Sequence, residues 1–190
     1  MRRIVVSEFV SLDGVIEDPG GAEGFDRGGW AFKFERGPEG DRFKLDEVME
    51  ADAMLLGRVT FQGFAEAWPS RTDEAGFADK MNGMQKYVVS STLEQTDWNN
   101  STVIGGDVPA ELAKLKQGSG GDILVAGSAR LVQTLHAHGL VDEYRLMVFP
   151  TVLGAGKRLF SEGGEATALE VVEARPAGEV VIMILRPRAD

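Results

Sequence analysis

The chain has 190 residues, and its 20 Lys and Arg against 30 Asp and Glu give a formal net charge of −10. This length predicts one domain over residues 1–190, which is large enough to bury about 70% of the surface of the unfolded chain. The absence of Cys excludes disulfide scaffolds, thiolate metal sites and Cys nucleophiles. The acidic balance argues against a nucleic-acid partner. Because no segment has the roughly 18 apolar residues of a membrane span and no signal-like apolar core follows Met1, we expect a cytoplasmic protein with no membrane partner.

Apolar and β-branched runs alternate along the chain with segments of helical periodicity. In chain order they predict a strand over 2–10, a helix over 41–50, a strand over 53–56, helices over 59–67 and 78–84, strands over 87–89 and 102–104, a helix from Pro109, a strand over 123–126, a helix opened by Gly127-Ser128, and a strand over 143–149. Segments 169–174 and 179–185 predict a C-terminal β-hairpin. The alternation predicts an α/β fold whose mixed, mostly parallel sheet is covered by helices on both faces.

The ends of three predicted strands carry polar or glycine-rich residues. In an open α/β sheet, ligands bind outside the carboxyl ends of the strands. Gly57 and Gly127 each precede a predicted helix, where glycine allows a close approach and the helix start offers free N–H groups to an anion. Ser90-Ser91-Thr92 offers three hydroxyls for a ribose or a 2′-phosphate. The pattern indicates a nucleotide site, although ordinary helix capping explains the same residues and the Gly-x-Gly-x-x-Gly fingerprint is absent.

Other chemical signals in the sequence are weak. His136 and His138 lie two residues apart near a helix end and therefore face different directions, so we expect no metal site. The chain has no Gly-x-Ser-x-Gly elbow, so no position is offered for the nucleophile of a hydrolase triad.

Five segments together resemble the dihydrofolate reductase-like family, in the branch of the reductase domain of bacterial riboflavin biosynthesis proteins. In family order they are residues 11–16 (Ser-Leu-Asp-Gly-Val-Ile), 51–61, 86–93, 123–128 and 140–156. The resemblance covers nearly the whole chain. It implies a dihydrofolate reductase-like fold with a central sheet of about eight strands.

The resemblance also implies NADPH as the hydride donor and assigns residues to it. Leu12 and Gly14 would line the nicotinamide and substrate end, Gly57, Arg58, Val59 and Thr60 would hold the phosphates, Ser90, Ser91 and Thr92 would lie by the adenosine 2′-phosphate, and Ala126, Gly127, Ser128, Ala129 and Arg130 would meet the pyrophosphate.

A proton donor is implied in the same way, and three carboxylates compete for the role. Asp41 lies sixteen residues before Gly57, which resembles the spacing of the family's carboxylate on its first helix. Asp46 is the rival on the same predicted helix, and Asp13 at the end of the first strand is the alternative acid.

The resulting hypothesis is an NADPH-dependent reductase that transfers a hydride to a small carbonyl, imine or pterin- or pyrimidine-like substrate. The alternatives are a nucleotide-binding module without turnover and a structural domain whose strand ends are merely capped. We also expect a homodimer, because segments 144–149 and 180–185 are apolar on both alternating faces and would leave an apolar edge unpaired.

Overall fold

The computed structural model describes residues 1–188, and its central feature is a sheet of eight strands. In chain order these are β1 (Ile4–Ser11), β2 (Ala53–Gly57), β3 (Gln85–Val89), β4 (Ser101–Ile104), β5 (Ile123–Val125), β6 (Glu143–Phe149), β7 (Leu169–Ala177) and β8 (Val180–Pro187). They lie in the order β4-β3-β2-β5-β1-β6-β8-β7. The strands from β4 to β6 are parallel neighbours, and β8 and β7 pair antiparallel at one end. The predicted mixed, mostly parallel sheet with a C-terminal hairpin is confirmed.

Helices cover both faces of this sheet. They are α1 (Gly37–Glu50), α2 (Arg58–Ala67), α3 (Phe77–Gly83), α4 (Val108–Gln117) and α5 (Ala129–Ala137). Side chains of α4 and α5, such as Leu112 and Leu135, pack with Val6 of β1 into one buried cluster. Phe61 of α2 and Met81 of α3 belong to a second cluster. Alternate side chains of the central strands enter different clusters, which is why these strands are apolar on both faces.

The two largest differences from the predicted element boundaries have physical reasons. Helix α1 begins at Gly37 and not at residue 41, because Pro38 fits the first turn of a helix, where no N–H is needed. Strand β7 continues through Pro176 to Ala177 because it is the edge strand, and an edge strand tolerates a residue without an N–H. Both differences lengthen an element that the sequence pattern predicts.

The strands that suggested a dimer surface lie inside the sheet. Strand β6 is flanked by β1 and β8, and β8 lies between β6 and β7, so neither strand is an unpaired edge. The expectation that segments 144–149 and 180–185 present an open apolar edge is therefore wrong. The edge strand at this end of the sheet is β7, where Val171 is 58% exposed and Val172 is 45% exposed.

Candidate functional site

The carboxyl ends of β2 and β5 bring two helix starts together at the end of the sheet where the parallel strands finish. These strands are paired neighbours, and each leads directly into a helix, α2 after Gly57 and α5 after Ser128. The backbone N–H of Gly57 donates to the carbonyl oxygen of Gly127 at 3.3 Å. A Cβ atom on Gly57 would overlap the side chain of Ser128. The contact between the two turns therefore requires glycine at position 57.

Gly127 is restricted both by its backbone and by its surroundings. Its φ is +79°, in the left-handed region that favours glycine, and its peptide bond to Ser128 is cis. A Cβ atom at this position would lie 2.7 Å from Oγ1 of Thr60 in the first turn of α2. Gly57, Thr60, Gly127 and Ser128, which the sequence suggested separately, are therefore brought into one cluster.

Neither of these helix starts is capped by a side chain. The first-turn N–H groups of α2 and α5 therefore add their partial positive charge at the same edge of the sheet. Arg58 and Arg130 are exposed in these first turns, and Arg58 Nη1 donates to Gln62 Oε1 at 3.0 Å. Two uncapped helix starts with an arginine on each are suited to an anion such as a diphosphate.

The Ser90–Thr92 segment lies beyond β3, on the far side of β2 from β5. The hydroxyl oxygen of Ser90 accepts the backbone N–H groups of Thr92 and Leu93 at 3.2 and 3.0 Å. Ser90 thus shapes the turn, whereas Ser91 and Thr92 are exposed. The segment offers two exposed hydroxyls at the same edge of the sheet as the paired helix starts.

Asp13 connects two loops through hydrogen bonds. Its Oδ1 accepts from the hydroxyl of Ser11 at 2.7 Å and from the N–H of Leu153 at 3.0 Å, and its Oδ2 accepts from the N–H of Gly154 at 2.7 Å. These donors, the Ser11 hydroxyl foremost, lower the pKa of Asp13 to about 2. Beside it, Leu12 is 67% exposed and Gly14 has a φ of +84°. At neutral pH, Asp13 is a carboxylate and has no proton to give.

The two aspartates of α1 lie on its exposed side. Asp41 pairs with Arg36 at 2.5 Å and has a side chain that is 65% exposed, while Asp46 pairs with Arg42 at 2.8 Å. The residues of α1 that face the sheet are others, among them Glu47, which is 3% exposed. Each of the two aspartates is therefore engaged by an arginine close to it in the chain.

A cluster of three polar side chains connects α1 to β1. Lys44 Nζ donates to Ser7 Oγ at 2.6 Å, and the Ser7 hydroxyl donates to Glu47 Oε1 at 2.6 Å. Lys44 Nζ also lies 2.5 Å from Glu47 Oε1 and 4.9 Å from the centroid of the Phe9 ring. The second oxygen of Glu47 is buried and accepts no hydrogen bond from the residues that the structure describes. The ammonium group balances the charge of this carboxylate inside the protein.

Glu8 is a second buried carboxyl group on β1, and it touches the candidate site directly. Its Oε1 accepts the backbone N–H of Gly127 at 2.6 Å. The residue is 8% exposed, and burial is the main cause that raises its pKa to about 8, against the lowering effects of the Gly127 N–H and of Lys44. A buried carboxyl that keeps its proton near neutral pH is typical of functional sites.

Sequence reasoning missed Glu8, Lys44 and Glu47 as site residues. One signal was present, because Glu8 interrupts the apolar run of a strand that is buried on both faces. A charged residue in such a strand must find a partner or change its protonation state. Its partner, the N–H of Gly127, is 119 residues away in the chain and is visible only in the folded structure.

Within residues 1–188, no group of three or more His, Asp or Glu side chains is placed to hold a metal ion, and no helix is long and apolar enough to span a membrane. His136 contacts Tyr144, whose hydroxyl lies 2.8 Å from its Nδ1, and its ring packs on Phe160. His138 is exposed, so the two histidines do not share a site.

The sequence is similar to two Bacillus subtilis (strain 168) proteins, both of which are uncharacterized. The identity to YyaP is 32% over 187 residues, covering 97% of this chain and 94% of YyaP. The identity to YwjB is 31% over 180 residues, covering 95% of each chain. The profile of the RibD C-terminal domain family matches residues 2–183. The chain belongs to this family.

Solved structures share the same fold. A protein that is assigned to riboflavin biosynthesis in Shewanella sp. PV-4 superimposes with a TM-score of 0.73 at 20% identity, covering 98% of this chain and 99% of that one. The dihydrofolate reductase of Enterococcus faecalis, complexed with NADP(H), gives a TM-score of 0.59 at 14% identity, with coverages of 98% and 97%. The dihydrofolate reductase-like fold and the resemblance to the riboflavin-pathway reductase domain are thereby confirmed.

Proposed function

We propose that the protein is an NADPH-dependent reductase that transfers a hydride to a small carbonyl, imine or pterin- or pyrimidine-like substrate. The observation that carries this proposal is the pair of uncapped helix starts at the ends of β2 and β5. The family supports it, since a dihydrofolate reductase complexed with NADP(H) has the same fold.

The cofactor's diphosphate fits the cluster at the paired helix starts. Gly57-Arg58-Val59-Thr60 and Ala126-Gly127-Ser128-Ala129-Arg130 supply backbone N–H groups, Arg130 supplies charge there, and the charge of Arg58 is assigned to the adenosine 2′-phosphate. The absence of side chains on Gly57 and Gly127 lets the two turns meet, which supports the assignment of both sets of N–H groups to one diphosphate. Ser91 and Thr92 are assigned to the adenosine 2′-phosphate, with Ser90 shaping their turn.

The reacting end of the cofactor is assigned to the edge of β1, beside Leu12, Asp13 and Gly14. When bound, the dihydronicotinamide ring supplies the hydride, and the acceptor also needs a proton. Asp13 holds the 11–15 and 153–154 loops in place as a carboxylate. Among the carboxyl groups that the resemblance proposes as acids, Asp41 is paired with Arg36 and is 65% exposed. The chain's contribution here is therefore to bind and orient the reactants, with solvent as the simplest source of the proton.

A second candidate function is cofactor binding without turnover. It is favoured by the engagement of two of the proposed acids, because Asp13 is held as a carboxylate and Asp41 is paired on the exposed face of α1. The paired helix starts would serve such a binding module equally well.

The loss of NADPH absorbance distinguishes the two functions. The purified protein is incubated with NADPH and a panel of pterins, pyrimidine flavin precursors, aldehydes and imines. A reductase oxidises NADPH only when an acceptor is present, and a binding module binds NADPH tightly without oxidising it with any acceptor. Failure to bind NADPH contradicts both functions.

We also propose that the protein forms a homodimer in which β7 is covered. Val171 and Val172 of this edge strand are exposed, and so is Val181 on the adjacent β8. Exposed apolar side chains on an edge strand favour pairing with another chain unless a surface covers them. A two-fold contact between copies is the commonest way to provide such cover.

A further inference from the structure

Glu8 lies where β1 passes the turn between β5 and α5. Strand β5 ends at Val125, whose neighbour on β1 is Val6, so Glu8 is two residues beyond the last paired position. The side chain lies just beyond the end of β5, and its carboxyl group accepts a hydrogen bond from the N–H of Gly127 at 2.6 Å. This carboxyl group therefore lies directly beneath the turn that begins α5.

The surroundings of Glu8 give its negative charge little compensation. The residue that pairs with Glu8 on the neighbouring strand β6 is Leu146, which is apolar. Among charged groups, Lys44 of α1 favours the ionised form, whereas Glu47 of α1 and Glu23 of the loop after β1 oppose it. Lys44 is already within 2.5 Å of Glu47 Oε1, so its charge is largely committed to another carboxylate. Burial is the dominant influence, and it favours the neutral carboxyl with a pKa of about 8.

The turn before α5 has two negatively charged neighbours, the Glu8 carboxyl group on one side and the proposed diphosphate on the other. On one side, the N–H of Gly127 is used by Glu8. On the other side, the following N–H groups at the start of α5 have no side-chain acceptor and are assigned to a diphosphate. A diphosphate bound there brings additional negative charge close to Glu8, which further favours the neutral carboxyl.

We propose that Glu8 is a positioning residue of the dinucleotide site that couples cofactor binding to proton uptake: its carboxyl holds the Gly127 turn, and it takes up a proton when the dinucleotide binds. This inference rests on the proposed function, since it requires a dinucleotide at the paired helix starts. By linkage, a ligand that favours the protonated form binds more weakly as the pH rises above the pKa of the free group.

The first measurement uses the unmodified protein. Titration calorimetry of NADPH at pH 8.5, in two buffers with different ionisation enthalpies, gives the number of protons taken up on binding. We expect about half a proton or more per NADPH, because the carboxyl with a pKa of about 8 is mostly ionised in the free protein at this pH. The dissociation constant should rise about 10-fold or more between pH 7 and pH 9.5.

The matched variant is Glu8→Gln, which keeps an oxygen to accept the Gly127 N–H but carries no titratable proton. If Glu8 only supports the turn, Glu8→Gln and the unmodified protein have the same pH dependence. If Glu8 couples binding to protonation, the dissociation constant of the variant changes less than about 2-fold between pH 7 and pH 9.5, whatever its value at pH 7. Glu50→Gln, at the exposed end of α1, is the control and should behave as the unmodified protein does.

The outcomes separate this inference from the proposed function. NADPH binding with proton uptake that Glu8→Gln abolishes supports both. NADPH binding without proton uptake overturns the role of Glu8 and leaves the proposed function standing. No NADPH binding at any pH overturns both. Should Glu8→Gln fail to fold, the proton count on the unmodified protein still decides, because an uptake near zero at pH 8.5 overturns the inference.

Discussion

The N–H of Gly57 donates to the carbonyl oxygen of Gly127 at 3.3 Å, across a separation of 70 positions in the chain. This hydrogen bond joins the start of α2 to the start of α5, and neither residue has room for a side chain. The resulting concentration of free N–H groups is the basis of the proposed dinucleotide site.

Gly127→Ala should abolish most NADPH binding. The added Cβ atom meets Thr60 Oγ1 at 2.7 Å, and alanine at a φ of +79° is strained by about 1–3 kcal/mol. We expect the dissociation constant to rise about 10-fold or more. Gly63→Ala is the control, since a Cβ atom there meets nothing within 4 Å. Circular dichroism should show that both variants are folded, and unchanged affinity in a folded Gly127→Ala protein would place the dinucleotide elsewhere.

Arg58→Ala should weaken NADPH more than NADH. Arg58 is in the first turn of α2 and, among residues 1–188, donates only to the uncharged Gln62, so its charge is available to a phosphate. Loss of one charge-assisted hydrogen bond to the 2′-phosphate corresponds to about 1.5–3 kcal/mol, or roughly a 10- to 100-fold rise in the dissociation constant. Arg42→Ala removes an exposed, paired arginine from α1 and should change neither affinity. Equal losses for NADH and NADPH would assign Arg58 to the diphosphate instead.

Asp13→Asn should lower stability in a pH-dependent manner. The pKa of Asp13 in the folded protein is about 2, below its ordinary value of 3.8, so its stabilising effect is complete above about pH 4 and is lost as the pH falls towards 2. Breaking its charge-assisted hydrogen bonds should cost about 1–3 kcal/mol near neutral pH. Denaturant unfolding from pH 7 to pH 2.5 measures this, with the exposed Asp26→Asn as control. A difference that persists undiminished at pH 2.5 would contradict the assigned role.

Much of the fold follows from local sequence patterns. Strands β1, β2 and β5 are apolar runs because their side chains are buried on both faces of the sheet, and Leu131 and Leu135 repeat at helical spacing because α5 buries one side. The hairpin was predicted, but local patterning does not say which of its strands pairs with β6. For that reason the apolar edge was expected on β6 and β8, whereas the edge strand in the structure is β7.

The candidate site was predictable only in part. Glycine before a helix start marks each turn, and so Gly57 and Gly127 were found from the sequence, but their contact depends on the strand order. The carboxyl group at this edge was not found. A count of sixteen residues back from Gly57 sets the position of Asp41 along α1 but not the side of the helix, and Asp41 lies on the exposed side. Glu8, in the middle of an apolar strand, is the carboxyl that contacts the site.

Static light scattering at micromolar concentration tests the homodimer. We expect a mass about twice the 20.5 kDa of the chain. Val171→Lys together with Val172→Lys should return the mass to that of one chain, because a charge on the edge strand opposes pairing. Met49→Lys changes an exposed apolar side chain of α1 and should leave the dimer intact. A single-chain mass for the unmodified protein would refute the dimer, and a dimer that survives both lysines would place the contact away from β7.

The thermal stability of the protein with and without NADPH tests the central claim most directly. A ligand that binds only the folded state adds about 2.7 kcal/mol to the free energy of unfolding when present at 100 times its dissociation constant. Since ΔΔG of this size raises the Tm of a domain of 150–250 residues by several degrees, we predict a rise of about 5–10 °C in saturating NADPH and a smaller rise in NADH at the same concentration. An unchanged Tm at millimolar NADPH would contradict a dinucleotide site at the paired starts of α2 and α5.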